Sequence, residues 1–312
     1  MNFIEPDAVR INEKDPYKKI ELAGRTCYKS EDKITKTSAK KFVKALINRK
    51  HTAMLEHQCF VFRIDESSPF TEQYINFLRG NKYLNITRLS VYMNENGNIV
   101  PNTRYLVSGN VRAICEREVS DPIFRALCVE YPDLAYGEQK KSVYEYIDAK
   151  IVKLSDFNDL TNEEILKHSY FTFRIITDRG VTHELVRHRP CSFAQESTRY
   201  VNYKDGLNIS LPSQFYEKPE EVQGLYREAF EFVENVYRNL IESGETPQQA
   251  RAVLPNALKT EIVVTANLEE WNHIINLRYH GTTGAPHPDI KVVAEKIYNI
   301  LKKDKLVGGL VA

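Results

Sequence analysis

Several things missing from this chain narrow what it can be. No CxxC pair occurs, and the five cysteines (Cys27, Cys59, Cys115, Cys128, Cys191) are odd in number. A disulfide framework and a structural zinc site are therefore not expected, and a reducing cytoplasm is the simplest compartment. Residues 1–7 have neither the basic nor the apolar region of a signal peptide, and no run of 18 apolar residues predicts a membrane span. Net charge is nearly absent: 43 Lys and Arg against 42 Asp and Glu leave +1. No global field draws the chain to nucleic acid or membrane, so any anion site must be local. There is no GxxxxGK[ST] and no GxGxxG after a strand, which speaks against P-loop and Rossmann phosphate cradles. His183 and His188 are five apart rather than the four of an HExxH zinc site, and no metal site is expected. No repeat, low-complexity tract or linker separates two halves of the 312 residues, which favours one integrated domain.

The most informative stretch that is present covers residues 187–200. It holds Arg187, His188, Arg189 and Arg199 together with the hydroxyls of Ser192, Ser197 and Thr198. Arginine keeps its charge at any working pH and binds phosphate or carboxylate in a bidentate way, so this density points to an anionic ligand. The spacing of VTHELVRH predicts a helix that carries Glu184 and His188 on one face and His183 and Arg187 on another. Pro190 should then turn the chain into an extended or looped segment. Cys191 stands three residues from His188, but no orienting third group accompanies a Cys–His pair, and cysteine is commonly a small buried residue.

Around this stretch the pattern predicts helices over 38–48 and 70–79, a strand in QCFVFRI and a hairpin loop at 94–98. GNVRAICERE reads as a helix start, residues 137–153 as a surface helix, and Thr161 with Glu164 as a capping box. Residues 20–30 read as a turn. SYFTFRIITDRG reads as a strand ending at Gly180, and LKTEIVVTA as a buried strand. A long helix over 218–245 should bury Val222, Leu225, Phe230, Val233, Val236, Tyr237 and Leu240. Thr246-Pro247 opens a short helix into Arg251. Asn267 should cap LEEWNHIINLRYH with Glu270 in the capping-box position, and Pro288 opens a last helix with Ile290, Val293, Ala294, Ile297 and Leu301 inward.

Arg187-His188-Arg189, seven residues and then Ser197 is a spacing that resembles the signature of flavin-dependent thymidylate synthases. HTAMLEH at 51–57, ARAVLP around Arg251, TANLEEWNHIINLR ending at Arg278 and PHPDIK at 286–291 follow in the family's order. The resemblance spans roughly 20–63 and 169–311. It implies an α/β (α+β) subunit with a central, mostly antiparallel sheet flanked by long helices, in a homotetramer with shared active sites. It implies reductive methylation of dUMP to dTMP, with 5,10-methylenetetrahydrofolate as carbon donor, FAD as hydride carrier and NADPH as reductant.

By motif position, Arg187, His188, Arg189, Gln195, His51, Asn267 and His273 would hold FAD. Glu184, Arg187, Gln195, Ser197, Arg199, Arg251 and Arg278 would hold dUMP, and Arg278 would be the catalytic cation at the uracil. The chain departs from the family at Ala194, where many members carry Asn; at Glu269, where many carry Arg; and at Cys27, where a small hydroxyl is common. Residues within about 65–168 exceed the family's usual length and read as an insertion. A nucleotide binder without this catalysis, or a nucleic-acid module using the same arginines, are the competing readings; the near-zero charge weighs against the second.

Overall fold

The computed structural model describes residues 1–65, 69–89, 92–93, 99–100, 104–116, 121–136, 150–154 and 160–304. The chain divides into two compact units: Met1–Asn12 with Leu22–Lys33 and Phe171–Ala312, and Glu13–Glu21 with Ile34–Tyr170. Among the described residues no helix is long and apolar enough to cross a membrane.

The first unit is built on a four-stranded sheet ordered Ser192–Gln195, Lys259–Asn267, Tyr170–Asp178, Asp7–Arg10, with both outer pairs antiparallel. The strand Lys259–Asn267 is buried along nearly its whole length, as its β-branched run requires of an interior strand. Both inner strands hand the chain directly to a helix, and an Asx side chain makes each join. Asp178 accepts from Val181 N at 2.7 Å to open Arg179–Leu185, and Asn267 accepts from Glu270 N at 3.0 Å to open Leu268–Ile275. Trp271 on the second of these helices is fully buried against Phe173, and its indole N–H donates to the Phe171 carbonyl at 3.1 Å. The last helix, Pro288–Lys303, buries Ile290, Val293, Ala294, Ile297 and Leu301, as its spacing predicts. A parallel pair, Asn2–Ile4 with Asn208–Ser210, adjoins a second core formed by Tyr203, Leu207, Ile209, Phe230, Tyr237, Ala250 and Leu258.

The second unit carries an antiparallel sheet ordered Asn85–Arg88, Arg104–Asn110, Cys59–Asp65, Lys150–Lys153. Helices Ser38–Asn48, Pro69–Arg79 and Val111–Glu116 form where the sequence places them. The short strands Tyr92–Met93 and Ile99–Val100 pair antiparallel, and the expected loop at 94–98 lies outside the described residues. Thr161 and Glu164 form the predicted reciprocal box, at 3.3 and 2.8 Å.

Three expectations are corrected. Residues 20–30 are mostly helix: Pro16–Tyr28 is continuous, opened by the Asp15 carboxylate accepting from Tyr17 N at 2.9 Å, a start signal that precedes the apolar run. The end of the predicted surface helix is the strand Lys150–Lys153, paired antiparallel with Cys59–Asp65, as the β-branched sequence Ile-Val favours; residues 137–149 lie outside the described residues. The long helix Glu220–Glu242 exists, but of the seven stripe residues only Phe230 and Tyr237 are buried, while Leu225 is 62% exposed. Periodicity shows which face is apolar; it does not show how far along that face a partner extends.

His168 ends a helix of the second unit with no exposure, its Nδ1 at 2.8 Å from Ser108 Oγ and its Nε2 at 2.9 Å from Thr87 Oγ1. Burial pulls this imidazole down to about 4, against the opposing pull of Glu164. The unfolded chain then takes up a proton near pH 6.5 that the folded chain refuses, so stability is lost as pH falls from 6.5 toward 4. Urea unfolding should show about 2–3 kcal/mol less stability at pH 4.5 than at pH 7 from this group. His168→Gln should remove that share of the pH dependence, and an unchanged slope in the variant would show that the ring protonates freely in the folded state.

Candidate active site

The helix Arg179–Leu185 stops sooner than its spacing suggests. Arg187 N bonds Glu184 O at 3.3 Å and His188 N bonds Leu185 O at 3.0 Å, so the backbone tightens into i→i−3 turns before Pro190. Arg187-His188-Arg189 therefore lie in a turn rather than on the helix, and the three residues alternate. Arg187 and Arg189 are exposed, whereas His188 is 5% exposed. After Pro190 the chain takes the extended alternative and enters the strand Ser192–Gln195, which sets Gln195 opposite Ile262.

His188 is the meeting point of two distant segments. Its Nδ1 lies 3.2 Å from Glu270 Oε1, and its Nε2 accepts from Arg278 Nε at 3.3 Å. Arg278 also donates from Nη1 to Glu184 Oε2 at 2.7 Å. Glu184 and His188 thus converge on one guanidinium, although the helix that should align them has already ended. Arg278 itself sits in a π-helical turn, Asn276–His280, which follows directly from Leu268–Ile275. Such turns concentrate at functional positions. Gly281 closes the turn at φ 70°, and a Cβ there would meet Gly284 O at 2.9 Å, so the exit needs glycine.

The ring of His273, on the same helix as Glu270, stands edge-on to His188 at 5.7 Å between centroids. His188, Glu270 and His273 bring possible ligand atoms within 4.8 Å of one another. A permanent guanidinium 3.3 Å from the His188 ring opposes a second cation there, and we assign no metal to this group.

The remaining predicted residues are placed as follows. Gln195 donates from its amide to Thr182 Oγ1 at 2.9 Å and to Thr260 Oγ1 at 3.3 Å. Ser197 N bonds the Cys27 carbonyl at 3.0 Å, and Ser197 Oγ accepts from Arg199 N at 3.4 Å. Arg199 donates to Gln248 Oε1 at 3.1 Å, on the short helix Pro247–Ala250 that runs into Arg251. Asn267 is held by its cap. His51 lies in the second unit, exposed, just before the 3-10 helix Thr52–His57. Burial pushes the Cys191 thiol well up, which leaves it without thiolate character and argues against a nucleophile.

Two sets of cations in this unit contrast. Lys29, Lys259 and Arg174 converge on the buried Glu261, and Lys259 also pairs with Glu196. Burial alone would raise Glu261; hydrogen bonds from Lys259 and Lys29 overcome that and bring it down to about 2. Arg187, Arg189 and Arg251 are exposed and make no ion pair among the described residues. Charge of this kind is open to an anion from solution.

The contacts of Glu270, Thr182 and Thr260 were not read from the sequence. Glu270 carried a signal, but it pointed to the capping box. Its backbone N–H completes half of that box, and its carboxylate turns to His188 instead.

Fold and site together define an α+β protein whose arginine cluster has the chemistry to receive an anionic ligand. The family model of the thymidylate synthase complementing proteins matches residues 10–84 and 125–304, and the chain belongs to that family. A flavin-dependent thymidylate synthase of Geobacter sulfurreducens is 36% identical over 127 residues, covering 40% of this chain and 54% of its own. One from Pyrococcus furiosus is 37% identical over 150 residues, covering 46% and 61%. The chain thus spans about half to three-fifths of the curated relatives it matches. Among solved structures, the UMP/dUMP methylase PolB from Streptomyces cacaoi bound with 5-Br UMP aligns over 97% of this chain and 92% of its own, at 14% identity and a TM-score of 0.42.

Proposed function

We propose that this chain catalyses the reductive methylation of dUMP to dTMP, with 5,10-methylenetetrahydrofolate as carbon donor, FAD as hydride carrier and NADPH as reductant. Family membership supports the reaction class. The observation that carries the reading is Arg278, held by Glu184 and His188 in the unit that also bears the exposed Arg187, Arg189 and Arg251.

The donor set fits both anions. Arg187 and Arg189 would hold the flavin diphosphate, with His188, Gln195, Asn267 and His273 as further contacts. Glu269 puts an acid where many relatives carry arginine, so no positive contact comes from that position. Arg199, Ser197 and Arg251 would hold the nucleotide phosphate, with Glu184, Gln195 and Arg187 beside it. FAD, when bound, supplies the hydride chemistry, while the protein orients the partners. Carbon 5 of uracil must become nucleophilic, and the permanent charge of Arg278 stabilises negative charge on that ring. Two acceptors on different nitrogens already fix the guanidinium, so little reorganisation remains at the moment of reaction. No histidine is bonded to Ser197 among the described residues, which leaves it a binding hydroxyl rather than a nucleophile.

We place a family-atypical insertion within about 65–168, and the gap between the two matched stretches, residues 85–124, supports it. The exposed Leu225 and Phe232 on one long helix support association of copies into the homotetramer of the family, and we place the protein in the cytoplasm.

Tritium release from 5-labelled dUMP tests the reaction. It should require both the folate and NADPH, and FAD bound to the purified protein should bleach with NADPH under anaerobic conditions. Absence of release from FAD-reconstituted protein would overturn the proposal. Arg199→Ala should remove a charge-assisted phosphate contact of roughly 1.5–3 kcal/mol, weakening dUMP about ten- to a hundredfold. Unchanged dUMP affinity in calorimetry would rule out that contact.

A further inference from the structure

We infer that Glu270 is a positioning residue for Arg278, acting through the tautomer of His188; this rests on the reading of the site as a dUMP methylase. Four side chains form one line of contacts: Glu270 Oε1 to His188 Nδ1 at 3.2 Å, His188 Nε2 to Arg278 Nε at 3.3 Å, and Arg278 Nη1 to Glu184 Oε2 at 2.7 Å. A guanidinium can only donate, so the middle contact is a hydrogen bond only when His188 Nε2 bears a lone pair. A neutral imidazole with its lone pair on Nε2 carries its proton on Nδ1, and Glu270 accepts that proton's hydrogen bond. The His188 side chain is 3% exposed and that of Glu270 12%, so the protein sets the tautomer with little help from solvent.

The local structure shows what Glu270 gives up for this. It stands third in the helix after Asn267, where a glutamate commonly folds back on the cap residue. Here its N–H meets the Asn267 side chain while its carboxylate goes to His188, 82 residues away in sequence. With the proton on Nε2, two donors would face each other at Arg278. The guanidinium would then keep Glu184 and turn about that one bond. A carboxylate three contacts from the substrate thereby sets the plane of the cation beside it.

The test uses the full chain labelled with ¹⁵N-histidine, with His188 assigned by its absence from His188→Gln. The nitrogen shifts should show His188 protonated on Nδ1 and bare on Nε2. Glu270→Leu should move the proton to Nε2 and lower kcat for tritium release by about tenfold or more, as loss of a tautomer-fixing acid does elsewhere. Flavin content and the KM for dUMP should stay within about threefold, because the variant leaves the anion contacts in place. Glu270→Gln, whose carbonyl still accepts from Nδ1–H, should keep both the tautomer and most of kcat. Glu270→Ser, too short to reach the ring, is the second variant should leucine impair folding.

A wild-type His188 protonated on Nε2 overturns the inference. So does a tautomer unmoved in Glu270→Leu and Glu270→Ser, or a kcat unmoved when the tautomer changes. The spectra need neither substrate nor cofactor. A responsive tautomer in protein that releases no tritium upholds the line of contacts and overturns only the proposed reaction.

Discussion

Arg278→Ala is expected to lower dUMP turnover by roughly 100- to 1,000-fold, the range seen when one preorganised electrostatic contact to a developing charge is removed. The protein should remain folded and flavin-loaded. The Arg278 side chain is 22% exposed and that of Glu184 is 29% exposed, so the carboxylate left behind can be hydrated. The loss should fall on kcat more than on flavin retention, because Arg187 and Arg189, not Arg278, carry the proposed flavin contacts. Arg278→Lys should recover only part of the activity. It keeps the charge but cannot meet Glu184 and His188 from two nitrogens of one rigid fork. Tritium release measured beside the visible flavin spectrum decides the matter, and turnover within about threefold of wild type in Arg278→Ala would refute the catalytic role.

Trp271→Ala should be the most destabilising single change in the first unit. The indole is fully buried, stacks edge-on to Phe173 at 4.9 Å and satisfies the Phe171 carbonyl. Truncating a buried tryptophan costs about 3–5 kcal/mol, a large fraction of a domain's stability of roughly 5–15 kcal/mol. Its helix carries Glu270 and His273 and leads into the turn that holds Arg278, so the site should loosen together with the core. Thermal unfolding followed by circular dichroism should shift down by about 10–15 °C. A shift under about 3 °C would mean that the cavity collapses without loss. Trp271→Phe, which keeps most of the ring volume, should fall well short of the alanine effect.

What could be read from the sequence was what depends on near neighbours. The cap at Asn267, the box at Thr161 and the five inward residues of Pro288–Lys303 involve partners within a few turns, and all three form. The spacing from Arg187 to Ser197 led to the family. What could not be read was set at a distance. Gln195 meets Thr260 through strand register, and Lys29, in the turn after its helix, meets Glu261 232 residues away; no local pattern encodes either. Leu225 looked like core because its helix face is apolar, but the cluster beneath that helix reaches only as far as Tyr226, and Leu225 stands 62% exposed beside it. Glu270 had two uses open to it, and only the folded chain shows that its carboxylate takes the distant one.

The π-helical turn Asn276–His280 makes the chain intolerant of length changes where a surface loop would absorb them. Losing one residue there would restore ordinary α geometry and swing everything after the deletion by about 100° around the helix axis. Arg278 would leave Glu184 and His188 together. An insertion or deletion scan across this helix should therefore find activity most sensitive at these five positions, before any side chain chemistry is altered.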